Sequence, residues 1–335
     1  LSLCAACFTL GIAAQTKEVK FSLLETTDVH GNYLPYNFIT GEDGTGSMAR
    51  VYTYVKQLRQ TEGKDHVVLL DNGDILQGQP IAYYYNYMDT KSPHLCSAVL
   101  NYMQYDAGTV GNHDVETGHA VYDRWVKQCK FPMLGANVIV TKNEKPYWKP
   151  YTIIQRQGVK IAVLGMITPG IPMWLPENLW SGLRFDDMLQ VAQRYMPEMR
   201  KKADIVVGLF HSGVGKDKGT PIAAENASVA VAENVPGFDI VFCGHDHRRA
   251  NRRIVNTAGD SVWVLNPAAQ AHAIAKADFT ITLNGKKVVS KKVEGSLVDI
   301  DHLTPDADFM KTFATQFEQG KKFTNDLVGK SQNTM

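Results

Sequence analysis

Cysteine is scarce in this chain, since only five occur in 335 residues. Cys4 and Cys7 fall in an apolar segment at the start, and Cys96, Cys129 and Cys243 are spread widely along the rest. These last three are odd in number and show no C-x-x-C spacing. The sequence therefore argues against a disulfide framework and against a thiolate zinc site.

An excess of charge of either sign is also absent. The 35 Lys and Arg residues balance 34 Asp and Glu residues, which gives a formal net charge of +1 at pH 7. Proteins that bind nucleic-acid polymers or acidic membranes usually carry a basic patch or run. We therefore expect no nucleic-acid polymer among the partners, and small-molecule chemistry is the default class of function.

No hydrophobic run is long enough to cross a bilayer, so we predict no transmembrane span. Residues 1–14 are apolar and small, and charged Lys17 and Glu18 follow soon after. This pattern is typical of the apolar part of a secretory signal, so we predict a signal peptide at residues 1–14, with its true start upstream, and export to the periplasm or the extracellular space. A lipid anchor through Cys4 or Cys7 is the less favoured alternative.

The chain does contain a regular alternation of strand-like and helix-like segments, which is typical of an α/β fold. Beyond about residue 251 the pattern becomes β-rich, and a turn at Asn284-Gly285 predicts a hairpin of residues 273–283 and 286–293. A helical pattern covers residues 306–328. Further strands are predicted at residues 20–26, 66–70, 106–110, 160–167, 205–210, 239–243 and 261–265, and further helices at 47–60, 93–102, 118–130, 186–202 and 221–234.

Five short polar segments follow predicted strands, where α/β folds commonly place their sites. Each segment alone has an ordinary explanation, because Asp, Asn and Gly are common turn residues and a single His can be a spectator. Two histidines at one strand exit are harder to explain by packing. The joint occurrence of all five segments predicts one functional site. In chain order the segments are Asp28-Val29-His30, Asn72-Gly73-Asp74, Gly111-Asn112-His113-Asp114, His211-Ser212-Gly213 and Gly244-His245-Asp246-His247.

These segments offer carboxylate, amide and imidazole ligands, which suit two divalent metal ions, with zinc or manganese favoured and iron or cobalt as alternatives. Two adjacent metals need an anionic ligand between them, and we assign Asp74 that bridging role. The other predicted ligands divide into two sets of three. The first set is Asp28, His30 and His247, and the second is Asn112, His211 and His245.

The motifs Thr26-Thr27-Asp28-Val29-His30-Gly31 and Gly111-Asn112-His113-Asp114 resemble those of calcineurin-like metallophosphoesterases. The resemblance is to the secreted 5′-nucleotidase/2′,3′-cyclic-nucleotide phosphodiesterase family, and Gly78-Gln79-Pro80 favours its cyclic-phosphodiesterase/3′-nucleotidase branch. It implies a four-layer α/β/β/α sandwich with two mixed β-sheets and a catalytic domain at residues 19–295. Relatives carry a C-terminal nucleotide-binding domain. Residues 296–335 would be a closing helix or a linker toward such a domain, which is either part of a longer chain, supplied by a separate chain, or dispensable.

The resemblance also implies a catalytic role for His113, which would stabilise the transition state and protonate the leaving group while water activated by the metals attacks phosphorus in line. A carboxylate is expected to orient His113. Both Glu116 and Asp114 are candidates, and Glu116 is favoured. Capping of the following helix is the alternative role for both carboxylates.

We therefore expect a secreted dimetal phosphohydrolase that acts on nucleotides, either as a 5′-nucleotidase or as a 2′,3′-cyclic-nucleotide 2′-phosphodiesterase/3′-nucleotidase. A UDP-sugar or another phosphate ester is the alternative substrate. The alternative from another class of function is a non-catalytic binding module. In that case the metals would only hold the loops, and the surface would bind a separate chain. His113 argues against that class, because a scaffold has no need of a histidine that is not a ligand.

Overall fold

The computed structural model describes residues 16–215 and 225–326, and the predicted signal peptide lies outside them. Their strands fall into two large sheets and two small ones. In chain order these strands are β1 Thr16–Thr26, β2 Tyr36–Asn37, β3 Glu42–Asp43, β4 Val67–Asp71, β5 Ala107–Thr109, β6 Met133–Leu134, β7 Val138–Val140, β8 Lys145–Pro146, β9 Tyr151–Arg156, β10 Val159–Ile167, β11 Leu183–Phe185, β12 Ile205–His211, β13 Ile240–Cys243, β14 Ala250–Val255, β15 Ser261–Asn266, β16 Ala273–Asn284 and β17 Lys287–Asp299.

The helices alternate with these strands over most of the chain. A π-helical turn, Tyr84–Met88, directly continues the second helix. The α-helices of the described residues are α1 Met48–Glu62, α2 Pro80–Tyr83, α3 Leu95–Met103, α4 Asn112–Val115, α5 His119–Gln128, α6 Ile171–Trp174, α7 Met188–Lys202, α8 Ser228–Asn234, α9 Ala307–Thr312 and α10 Ala314–Asn325.

Each large sheet has six strands. The first has the order β17-β16-β1-β4-β5-β6, and the second has the order β14-β15-β13-β12-β10-β9. Strands β1, β4, β5 and β6 pair in parallel, as do β10, β12, β13 and β15. Antiparallel strands complete both sheets, so both are mixed, as the family resemblance implies.

The two large sheets pack face to face, with helices on their outer faces. Successive strand residues point to opposite faces. Leu23 of β1 therefore belongs to the core between the sheets, which also contains Val163 and Leu209 of the second sheet. Leu24 belongs instead to the core that the first sheet shares with helices such as α1. A third core joins the second sheet to α7 and α8. The four-layer α/β/β/α sandwich is confirmed.

The helical pattern at residues 306–328 forms two helices where the sequence predicts one, and residues 327–335 lie outside the description. Phe313 lies between α9 and α10, and both it and Phe309 are buried. The Tyr85 hydroxyl donates to Gln319 Oε1 at 2.6 Å, and Lys56 pairs with Asp306 at 2.9 Å. These contacts pack the segment against α1 and against the turn after α2.

Most other predicted elements are present with ends shifted by one or two residues. The hairpin forms across Asn284-Gly285. The helix predicted at residues 221–234 is seen as Ser228–Asn234, and residues 216–224 lie outside the description. Strand β9 was not predicted, since only Ile154 of its residues is buried and apolar alternation is weak.

This topology brings the five polar segments to one edge of the sandwich. Parallel strands end at a common edge, and four of the segments lie just past the ends of β1, β4, β5 and β13, while His211 ends β12. The Asn72 side-chain amide donates to the Phe210 carbonyl at 3.0 Å and thereby links the first sheet to the second at this edge.

Candidate metal centre and catalytic residues

The backbone is left-handed at five of the predicted ligands. Asp28 and His30 have φ near 50°, Asp74 has φ 52°, and His245 and His247 have φ 73° and 53°. Residues other than glycine adopt this region at a cost of about 1–3 kcal/mol, and such residues cluster at functional sites. Hydrogen bonds between the loops hold the conformation, since the Asp28 N–H donates to the Gly73 carbonyl and the His30 N–H to the Asp74 carbonyl.

Glycines allow the Asp74 loop to approach the loop after β5. Gly73 has φ +83°, and a Cβ there would lie 2.4 Å from the Gly111 nitrogen. A Cβ on Gly111 would lie 2.1 Å from Asp74 Oδ1. Since both distances are far inside van der Waals contact, the two segments meet only because neither residue has a side chain.

Asp28, His30 and His247 form the first cluster, with one ligand atom from each lying within 4.8 Å of the others. His30 Nε2 and His247 Nε2 are 3.0 Å apart. His247 Nε2 also lies 3.2 Å from Asp28 Oδ1. Asp28 is fully buried and His30 nearly so, while His247 is exposed. One acidic and two imidazole ligands therefore converge on one point.

Asp74, His211, His245 and Asn112 form the second cluster. The first three meet the same 4.8 Å criterion. The Asn112 side-chain oxygen lies 3.0 Å from His211 Nε2 and 2.7 Å from His245 Nδ1, and Asp74 Oδ2 lies 3.1 Å from His211 Nε2. The two clusters coincide with the two ligand sets of the sequence analysis, with Asp74 in the second.

The outward ring nitrogens have partners that leave the inward ones free to bind metal. His30 Nδ1 donates to the Gln77 carbonyl at 3.1 Å, and His211 Nδ1 donates to the Asn72 carbonyl at 2.7 Å. Carbonyls accept hydrogen bonds only, so Nδ1 carries a proton in both rings and Nε2 is the nitrogen that faces the cluster. Metal-ligating histidines characteristically show this arrangement. Together with the facing nitrogens, it means that the residues present fit two divalent cations.

The pKa values of the ligands reflect burial opposed by neighbouring charge. Burial raises the pKa of Asp74, but adjacent His211 overcomes this and holds it well below its usual range. Burial lowers the pKa of His211, yet the carboxylates of Asp74 and Asp28 raise it to about 10. Burial lowers the pKa of His30 and of His245. The carboxylates thus attract positive charge to this edge, which a bound cation supplies in place of a proton.

His113 lies beside the clusters without joining them. Its Nδ1 is 2.5 Å from Glu116 Oε2, and its backbone N–H donates to Asp74 Oδ1 at 2.7 Å. The imidazole is partly exposed, and its centroid is 5.5 Å from that of His30 in an edge-on arrangement. His113 is therefore fixed by Glu116 on one side and by a predicted ligand on the other.

Asp114 contacts backbone, not the His113 imidazole. Its buried carboxylate accepts hydrogen bonds from the N–H groups of Gly111, Asp74, Ile75 and Leu76 at 2.8–2.9 Å. Burial, together with the negative charge of Asp74, raises the pKa of Asp114 to about 6. The geometry thus favours Glu116 as the partner of His113, and Asp114 holds the loop that carries Asp74.

Sequence reasoning missed three residues that contact the ligands. Glu225 Oε1 lies 2.7 Å from His245 Nε2, and Gln77 offers its carbonyl to His30. The Trp174 ring stacks on His245 with centroids 5.5 Å apart and planes 24° apart. Glu225 and Trp174 have no sequence signal, because each is distant along the chain from any ligand motif.

Two cavities differ in their relation to this edge. One of about 570 Å³ is bordered by His113 and Glu116. A larger one of about 850 Å³ is bordered by Arg200, Asp239 and Lys291. Asp239 precedes β13, so this larger cavity lies at the opposite edge of the second sheet, and its charges are already paired, since Asp239 pairs with both Arg200 and Lys291. The smaller cavity is the one that adjoins the clusters.

Comparison with known proteins gives a consistent result. A model of the calcineurin-like phosphoesterase family matches residues 21–249. The 2′,3′-cyclic-nucleotide 2′-phosphodiesterase/3′-nucleotidase of Haemophilus influenzae is 32% identical in an alignment of length 355. The alignment covers 97% of this chain and 53% of that protein. Its namesake from Salmonella typhimurium is 33% identical over 260 residues, which cover 73% of this chain and 39% of that protein. The chain spans about half or less of these relatives.

A solved structure shows the same architecture. Calcineurin-like phosphoesterase YfkN from Bacillus subtilis matches with a TM-score of 0.82 and 25% sequence identity, covering 92% of this chain and 100% of that one. The two-sheet sandwich is therefore the fold of this solved calcineurin-like phosphoesterase as well.

Proposed function

This chain belongs to the calcineurin-like phosphoesterase family, and from that premise we propose that it is a dimetal phosphohydrolase that acts on nucleotides. The observation that carries the proposal is the pair of ligand clusters with His113 and Glu116 beside them. A site that only held metal for structure would be expected to enclose it fully. Here His247 is exposed and His113 is partly exposed, so a substrate can reach the ligands.

Each cation would be bound by its own set of ligands. We propose that Asp74 would be shared by the two ions, since its carboxylate lies 3.1 Å from His211 and its loop is hydrogen-bonded to the backbone of His30 in the first cluster. The first ion would be held by Asp28, His30 and His247, and the second by Asn112, His211 and His245. Divalent cations held by these residues would supply an activated water for attack on phosphorus and positive charge for the phosphoryl oxygens.

His113 would act as the general acid. With Nδ1–H donated to Glu116, the other ring nitrogen, Nε2, can carry a proton to the leaving oxygen, and the carboxylate stabilises the charged imidazolium. Asp74 fixes the backbone of His113. Glu116 and Asp114 are positioning residues in this scheme, the first for the imidazole and the second for the Asp74 loop.

The names of the relatives support a substrate class. The Haemophilus influenzae and Salmonella typhimurium proteins are named 2′,3′-cyclic-nucleotide 2′-phosphodiesterase/3′-nucleotidases, and more distant relatives are named 5′-nucleotidases. We propose the first activity for this chain, with the second as the alternative. Because the chain spans about half of the first relative, the grip on the nucleotide would be shared with a C-terminal domain, on the same chain or a separate one.

Export is also part of the proposal, and the apolar composition of residues 1–14 supports it. Those residues lie outside the described ones. Within residues 16–215 and 225–326, helices of the length and apolar character needed to cross a membrane do not occur. Sequencing the amino terminus of protein recovered from the cell envelope and the medium would test cleavage near Ala14, and retention of residues 1–14 would contradict it.

Phosphate release with product analysis tests the activity directly. Protein loaded with manganese or zinc would receive 2′,3′-cyclic AMP, 3′-AMP, 5′-AMP and a UDP-sugar in parallel, with His113→Ala as the matched variant. We expect preferred turnover of the cyclic nucleotide and 3′-AMP, and its loss in the variant. Preference for 5′-AMP or the UDP-sugar would select an alternative substrate, and no turnover of any ester would contradict the proposal.

A further inference from the structure

The cavity of about 570 Å³ begins at the proposed general acid. His113 and Glu116 form part of its border, and Gln77, which holds His30, forms another part. A general acid must lie within about 2.6–3.2 Å of the atom it protonates. The leaving oxygen is therefore placed at the mouth of this cavity, and the volume lies in the range of small-molecule sites.

Two tyrosines form one wall. Tyr83 and Tyr87 are 53% and 45% exposed, and their ring centroids are 4.9 Å apart. Tyr83 ends α2 and Tyr87 lies four residues later in the π-helical turn, a spacing that puts both rings on one face. Of the neighbouring tyrosines, Tyr85 is buried and Tyr84 packs against Phe323. The exposed pair offers flat apolar surface to a ligand.

Trp174 contributes to the cavity from the side of the second cluster. It is 40% exposed, it borders the cavity, and it stacks on His245. Leu175 and Leu179 continue this side. The aromatic surface therefore runs from a ligand of the second cluster to the residues beyond His113, which makes the cavity continuous with the proposed reaction centre.

The charges around the cavity restrict what it can hold. Among the described residues that border it, Glu116 is the carboxylate and neither Lys nor Arg occurs. A second phosphate in the leaving group would find no cation there and would face Glu116. Gln77, Gln79 and Asn86 instead offer amides that suit hydroxyl groups or base edges.

We propose that this cavity binds the uncharged leaving group of the substrate, namely a nucleoside with its planar base, with Tyr83, Tyr87 and Trp174 as its specificity-determining residues. This inference rests on the proposed function, because His113 locates the leaving oxygen. It predicts discrimination within the catalytic domain against UDP-sugars and other esters whose leaving group carries phosphate.

The test compares two esters and two readouts. We expect Tyr87→Ala to lower kcat/KM for 3′-AMP about 5- to 100-fold, the range for loss of one base–aromatic stack, and to change kcat/KM for glycerol 2-phosphate by less than about twofold. Tyr87→Phe, which keeps the ring, should restore the nucleotide value. Tyr195→Ala, on α7, is the matched control and should change neither. Equal losses for both esters, or no loss for 3′-AMP, would overturn the proposal.

Adenosine binding, measured by calorimetry, separates this proposal from the proposed function. Wild-type protein should bind adenosine, and Tyr87→Ala should weaken binding by a similar factor, whether or not metal is present. If the wild-type protein hydrolyses none of the esters but Tyr87→Ala still weakens adenosine binding, the nucleoside site is supported and the proposed enzymatic activity is rejected. Hydrolysis of 3′-AMP with adenosine binding unchanged by Tyr87→Ala would support the enzyme and overturn the cavity.

Discussion

Five of the seven residues that are predicted to bind metal have a left-handed backbone. Residue types alone identified Asp28, His30 and His247 as ligands, since carboxylates and imidazoles at strand ends suggest metal. Their left-handed φ values could not be predicted, because that conformation is imposed by hydrogen bonds from loops distant in sequence. Glu225 was missed for the same reason, since only the folded chain brings it to His245.

The Asp74→Asn variant tests the bridge. An amide carries no charge, so both ions should bind more weakly, and metal content after dialysis should fall from two ions per chain to one or none. Elemental analysis measures this. Asp123→Asn, which removes a partly exposed carboxylate on α5, is the matched control and should keep both ions. Two ions per chain in Asp74→Asn would rule out the bridging assignment.

The pair of His113 and Glu116 can be separated from the metal ligands. His113→Ala should retain both ions and lose about 10²–10⁴-fold in kcat, the usual contribution of a general acid. Glu116→Gln should cost less, because the amide oxygen can still accept a hydrogen bond from Nδ1–H of His113.

Loss of metal in His113→Ala would identify His113 as a ligand and would leave the acid role to another residue. Equal losses of kcat in Glu116→Gln and in His113→Ala would show that Glu116 does more than position the imidazole. Rapid-quench measurement of product formation separates these effects from slow product release.

At the scale of elements, strand ends could be predicted more reliably than the segments between them. The apolar runs of β1, β4, β12 and β13 are buried on both faces, so composition alone reveals them. The π-helical turn after α2 could not be predicted, because it depends on tertiary contacts such as those of Tyr85 with Gln319. That turn carries much of the proposed specificity.

Helix α3 supplies a test of pH dependence away from the metal centre. His94 caps this helix, accepts from the Cys96 N–H through Nδ1, and donates through Nε2 to Asn86. Complete burial lowers the pKa of His94 to about 3. The unfolded chain, with a pKa near 6.5, then binds more protons between these values, so stability falls as pH drops through this window.

From pH 7 to pH 5 the free energy of unfolding should therefore fall by about 2 kcal/mol through His94 alone. Chemical denaturation at the two pH values measures the change. In the His94→Asn variant the asparagine can still cap the helix but does not titrate. The free energy of unfolding of this variant should therefore fall less between pH 7 and pH 5, by about that amount. An identical loss in both proteins would show that His94 is not responsible.

At the scale of the whole molecule, the two sheets meet at the metal edge, and ligands come from both. Residues 28, 74 and 112 follow strands of the first sheet, and residues 211 and 245 belong to or follow strands of the second. The resemblance to a known family predicted these layers. Composition alone could not, because an α/β alternation is equally compatible with a single sheet.

Metal binding should stabilise the assembled sandwich. Ions that bind the folded state alone add about 3 kcal/mol at a hundredfold excess over Kd, which should raise Tm by several degrees for a domain of this size. Thermal unfolding with manganese and with chelator measures the difference. Asp74→Asn should show a much smaller difference, whereas an equal Tm with and without metal in wild-type protein would exclude ligands shared between the sheets.

The aromatic wall and the ligand clusters occupy separate stretches of chain. Tyr83 and Tyr87 lie on α2 and the turn after it, and Trp174 ends α6, and none of these elements supplies a predicted ligand. Selection can therefore replace the aromatic side chains of the cavity while the predicted metal ligands stay the same. Substrate preference can therefore evolve while the predicted metal ligands stay unchanged. A mutant library confined to residues 83–87 and 174–179 should change which ester is preferred and leave the metal content unaltered.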